Sequence, residues 1–148
     1  MRRQDCHERI RQVKGNYRTA LQTVSVLIDI VQERPDIIHK HALDLRAMRA
    51  LAQELHDIYF TRMFACFESS LRYYWRTSVR NTKPSTEQLI SSVAGRLAVP
   101  RDSLDMVQEI RCFRNYLIHE QQEEPRRFSM DEASGHLNTF LARLPLEW

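Results

Sequence analysis

Glycine, proline and cysteine are scarce in this chain, and each scarcity removes a class of structure. Only 3 glycines and 5 prolines occur among 148 residues, which leaves little material for tight turns and favours long helices. The three cysteines, Cys6, Cys66 and Cys112, are odd in number and scattered. No disulfide framework and no zinc spacing can be built from them, and two lie among apolar residues, where a reduced thiol acts as a small hydrophobe. No run of about 18 apolar residues exists to span a bilayer. The N-terminal stretch MRRQDCHERIRQVKGN has none of the apolar core of a signal peptide, so the expectation is a cytoplasmic protein without membrane contact. Glycine-rich phosphate loops, nucleophile elbows and zinc-protease motifs are missing, and no cofactor is expected.

What is present is ordinary for a globular chain. Hydrophobic residues make up 43% and charged residues 28%, too apolar for a disordered segment and sufficient for one core in one domain spanning residues 1–148. The net charge of +3 permits nucleic-acid binding without demanding it.

Apolar residues recur at helical spacing, and no segment shows strand alternation. A first helix is expected over Cys6–Gln32, with Ile10, Val13, Tyr17, Leu21, Val24, Ile28 and Val31 on one stripe, stopped by Pro35. A second helical region reaches about Val79, with a break anywhere between Ile38 and Ala50. Its later half, Leu51 to Val79, places Phe60, Phe64, Phe67, Leu71, Tyr74 and Trp75 on one side. Residues 81–84 end it. Ser85-Thr86-Glu87-Gln88 is a capping-box pattern opening a short helix. Asp102 starts the next helix, which runs to about His119 or Glu120. Ser129-Met130-Asp131-Glu132 repeats the capping-box pattern before a last helix to about Leu144. The fold class is all-α, an antiparallel bundle of four to five helices.

The most informative stretch is Arg114-Asn115-Tyr116-Leu117-Ile118-His119. It sets a permanently charged phosphate binder close to a side chain that titrates near neutrality, a pairing suited to phosphodiester chemistry without a metal. On a helical projection Met106, Val107, Ile110, Phe113 and Leu117 face the core and Arg114 lies at their margin. Gln108, Arg111, Asn115 and His119 form a polar flank. The plainer account is that Arg114 snorkels and His119 suits the negative end of a helix.

Glu68 sits at the edge of the aromatic stripe, where an unpaired carboxylate is costly; either it or a neighbouring polar group pairs with Arg114 or Arg111, or Glu68 is solvated through a gap between helices. His39 and His41 diverge on a helix, and no metal site is expected from them. The basic N-terminal cluster and Arg126-Arg127 are either solvated charges or guides for a phosphate backbone.

These residues resemble the HEPN superfamily, all-α bundles whose signature is an Arg followed several residues later by a His on a late helix, often with a polar residue directly after the Arg. Here the match is Arg114, Asn115 and His119 within EIRCFRNYLIHE, and LHDIYFTRMFACFESSLRYYW resembles the family's aromatic, Glu-containing helix. The resemblance implies a HEPN-like bundle and a metal-independent endoribonuclease acting in defence, stress or a toxin–antitoxin setting. His119 would serve as general base or acid, Arg114 would hold the phosphate, and Asn115 would orient one of them, with Glu68 and Arg111 supporting and Arg126 and Arg127 meeting the RNA. It also implies a homodimer in which two motifs share one cleft, with an antitoxin as a possible partner. Gln121 stands where the nucleotidyltransferase-paired toxin branch often has Tyr, which counts against a modification-controlled toxin of that type. A binding or interaction module of the same fold, without cleavage, is the alternative.

Overall fold

Pro35 has no amide to continue a helical ladder, and the first helix ends just before it. The computed structural model describes residues 1–79, 82–119 and 123–148. Six α-helices follow in order: α1 (Arg3–Glu33), α2 (Asp36–His41), α3 (Leu45–Tyr74), α4 (Thr86–Arg96), α5 (Arg101–Ile118) and α6 (Met130–Leu141), with a π-helical turn over Trp75–Val79 after α3. No strand occurs among the described residues; Arg2 and Glu147 form an isolated β-bridge.

The helix count exceeds the expected four to five because the long second region divides. Asp44 is the reason: its Oδ1 accepts from the amides of Arg46 at 2.8 Å and Ala47 at 3.2 Å, capping α3 inside the interval where a break was expected. The far end also differs. The α-helical ladder stops at Tyr74 and widens into the π turn, and Asn81, expected at its terminus, lies outside the described residues. Ser85 forms the full capping box with Gln88, as its pattern predicts. At α6 only half the box forms. Ser129 accepts from the Glu132 amide, while the Glu132 carboxylate turns to Arg126.

The helices pair antiparallel. Tyr17 on α1 packs against His56 and Tyr59 on α3, and His7 bonds Asn138 on α6 while Arg18 reaches Asp131. Gln108 on α5 bonds Ser91 on α4, and Arg111 pairs with Glu87. One apolar cluster joins α1, α3, α4, α5 and α6, and Phe60, Phe64, Phe67, Phe113 and Phe140 are fully enclosed in it. The whole expected stripe of α3, from Phe60 to Trp75, is buried. The stripe of α1 is not: Ile10, Val13 and Val31 are buried, whereas Tyr17, Leu21, Val24 and Ile28 are half-covered. α6 begins opposite Arg18, so beyond that point α6 no longer covers the stripe of α1.

Asp131 ties that start of α6 to α1. The hydrogen bond from Lys14 holds its carboxyl below the ordinary carboxylate value, with Arg18 adding to the effect. A lowered folded-state value means that this tie is complete above the ordinary value and is lost as pH falls through the lowered one.

The scarce glycines are not where the backbone turns left-handed. Ala42 and Ala98 hold φ of 50° and 49°, a conformation that costs a Cβ-bearing residue about 1–2 kcal/mol. Gly15 lies in mid-α1, where an added Cβ would meet nothing within 4 Å. Gly15→Ala should therefore raise stability by about 0.5–1 kcal/mol, and Ala42→Gly should also raise it, read as urea-unfolding midpoints. A loss from either would contradict these backbone assignments.

Candidate functional site at the end of α5

Phe113 anchors the C-terminal half of α5 by packing edge-on against Phe60, ring centroids 4.8 Å apart. The next residue, Arg114, is thereby placed at the core margin, as its register predicts. Its guanidinium carbon lies 5.7 Å from the centroid of the Phe64 ring, within cation–π range. One terminal nitrogen donates to Asn115 Oδ1 at 3.0 Å. The Nε is buried without a hydrogen-bond partner.

The other partly buried arginines are occupied. Arg72 grips Glu68, Arg111 pairs with Glu87, and Arg3 donates to the carbonyls of Ala142 and Leu144. Among the described residues no carboxylate neutralises Arg114.

His119 falls differently from the projection. α5 ends at Ile118, and His119 is its C-cap in extended conformation, φ −121° and ψ 115°, with its amide bonded to the Asn115 carbonyl at 2.8 Å. The residue is exposed. No hydrogen bond joins it to Arg114, and among the described residues nothing orients the imidazole. Gln121 lies outside the described residues.

Glu68 does not pair with Arg114 or Arg111. Its Oε1 accepts from Arg72 Nη2 at 2.6 Å and Nε at 2.9 Å, and from Thr86 Oγ1 at 2.9 Å. The i,i+4 spacing of Glu68 and Arg72 carried this signal, and the hydroxyl of α4 completes it. Arg111 is held by Gln108 Oε1 at 2.7 Å and by Glu87, so it belongs to the α4–α5 seam. Arg126 bonds Glu132, lies 3.6 Å from Glu109 and covers the Phe128 ring at 4.8 Å. Arg127 bonds Glu124, which raises its already high pKa. Both of these charges are countered locally, although exposed pairs of this kind exchange partners at little cost.

Sequence reasoning did not single out Phe64 as the platform under Arg114. His56 was also missed. Its Nε2 bonds the Phe128 carbonyl at 3.0 Å, its Nδ1 lies 3.0 Å from Asp57, and its ring packs near Phe113; nothing in its spacing marked that role. Among the described residues there is no cluster of three metal-ligating side chains, and no helix is long and apolar enough to cross a membrane. Comparison with known proteins finds no matching family model, no matching curated protein and no matching solved structure.

The half-buried Glu68 carboxylate anchors three donors across two elements. Glu68→Gln should lower the unfolding free energy by about 1–3 kcal/mol while Arg114 keeps its place over Phe64. An unchanged midpoint, or a displaced Arg114, would contradict this division of roles.

Proposed function

We propose that the chain is a metal-independent endoribonuclease of HEPN type, working as a homodimer in a defence, stress or toxin–antitoxin setting. The observation that carries the reading is Arg114: a partly buried guanidinium steadied by an aromatic ring and an amide, with no carboxylate to neutralise it among the described residues. Such a group gains most from an anion that it can meet with several donors, and a phosphate is that anion.

In the proposed reaction the ribose 2′-hydroxyl gives its proton to an imidazole and attacks the adjacent phosphorus. The bond to the 5′-oxygen breaks, that oxygen takes up a proton, and the products are a cyclic phosphate and a 5′-hydroxyl. His119 performs the proton transfers, and Arg114 holds the phosphate and the charge that builds on its oxygens. Asn115 fixes the rotamer of Arg114. A single motif offers one imidazole, so a two-fold pairing that brings two motifs into one cleft supplies the second proton carrier.

A second reading, RNA or nucleotide binding without cleavage, is favoured by the state of His119, whose ring is exposed and lacks an orienting partner. The two readings separate in one assay. With EDTA present, wild type should cleave single-stranded RNA to cyclic-phosphate ends, His119→Ala should slow it by about 10²–10⁴-fold, and Arg114→Ala should abolish it, with circular dichroism unchanged. Absence of cleavage by wild type, with RNA affinity falling in both variants, would select the binding reading.

A further inference from the structure

We propose that the cleft between the π-helical turn and the segment leading into α4 is a binding site for a nucleoside phosphate. It has a volume of about 460 Å³, within the range of small-molecule sites and larger than a bare anion needs. Its lining includes Tyr73, Arg76, Thr82, Lys83, Pro84 and Leu89.

Two features of the walls are built by contacts already described. Arg72 is fully engaged. Besides Glu68 it donates to the Pro84 carbonyl and to Thr86 Oγ1, each at 3.2 Å, and so ties the segment before α4 to the end of α3. Trp75 Nε1 donates to Thr82 Oγ1 at 3.0 Å, holding the other side. The width of the cleft is therefore set before any ligand arrives, which lowers the ordering cost of binding.

The charges left over are Arg76 and Lys83. Neither has a carboxylate partner among the described residues, and the Arg76 guanidinium carbon lies 5.6 Å from the Tyr73 ring centroid. Two cations without a carboxylate partner in the lining of one cleft suit a phosphate. The partly exposed Tyr73 and Pro84 side chains offer apolar surface of the kind on which a flat base lies. Trp75 and Arg76, which line the cleft, begin the π turn at Trp75–Val79, a departure from α-helical geometry that is frequent at functional sites.

The phosphate and base are shared by a free mononucleotide and by one nucleotide of an RNA strand. Phe64, under Arg114, and Arg72, at the cleft, are two turns apart on α3, about 12 Å along its axis, a distance that a strand bound at Arg114 can cover. The site does not depend on the nuclease reading, because a free nucleotide needs neither Arg114 nor His119.

Calorimetric titration of the full chain with adenosine 5′-monophosphate tests it, with adenosine and inorganic phosphate as part-ligands. Saturable binding is expected, with both part-ligands weaker by about tenfold or more, and with Arg76→Gln/Lys83→Gln weakening the nucleotide by a similar factor while circular dichroism is unchanged. An uncleavable 2′-O-methyl oligonucleotide distinguishes the sources. Tighter binding than the mononucleotide, lost in part in both the double variant and Arg114→Ala, assigns the cleft to an RNA strand, and no gain assigns it to a free nucleotide. Absence of mononucleotide binding, or equal binding by wild type and the folded double variant, overturns the proposal.

Discussion

A guanidinium drawn partly out of water without a carboxylate beside it raises the free energy of the folded state, and among the described residues Arg114 has no carboxylate beside it. The constraint comes from its neighbours. Phe113 is locked against Phe60 in the core, so the next side chain along α5 has to emerge at the core margin over Phe64. Asn115 gives one acceptor, the ring gives a weak electrostatic contact, and Nε is left unsatisfied. Elsewhere among the described residues, each partly buried arginine is given a carboxylate or carbonyls. The exception falls on the residue whose sequence context pointed to phosphate chemistry.

α3 organises the rest of the molecule. Its aromatic stripe forms the centre of the core, and along its length it presents His56 to the segment before α6, Phe64 to Arg114, and Glu68 to Arg72 and Thr86, while the π turn that follows it carries Arg76 to the cleft beyond. The Glu68–Arg72–Thr86 cluster deserves the stability role that a buried carboxylate needs: it is paired and hydrogen-bonded within the α3–α4 junction. Among the described residues, Arg114 on one side and Arg76 with Lys83 on the other have no such carboxylate partner.

The helical class was legible because apolar spacing is set by backbone geometry alone. The Phe60–Trp75 stripe, the Ser85 capping box and the Pro35 stop all depend on residues close in sequence, and all are where local chemistry puts them. What escaped depends on partners distant in sequence. Glu68 has an i,i+4 neighbour in Arg72, but the choice between Arg72 and an arginine of α5 is made by the position of Thr86 on another helix. The platform role of Phe64 needs the α3–α5 crossing. The half-covered distal stripe of α1 follows from where α6 starts. The helix stops at Ile118, one residue short of the expected end at His119 or Glu120, so His119 takes an extended C-cap conformation. At the site, the residue types and the contact between Arg114 and Asn115 were readable from adjacency; the freedom of Arg114 from any carboxylate was not.

If Arg114 is kept for an anion rather than for the fold, its charge contributes nothing that folding requires. The most direct measurement is the unfolding free energy of Arg114→Met, which keeps an unbranched chain over Phe64 and removes the charge together with the unsatisfied Nε. The account predicts stability equal to or above that of wild type; a loss of about 2 kcal/mol or more would mean that the guanidinium is part of the scaffold and would contradict it.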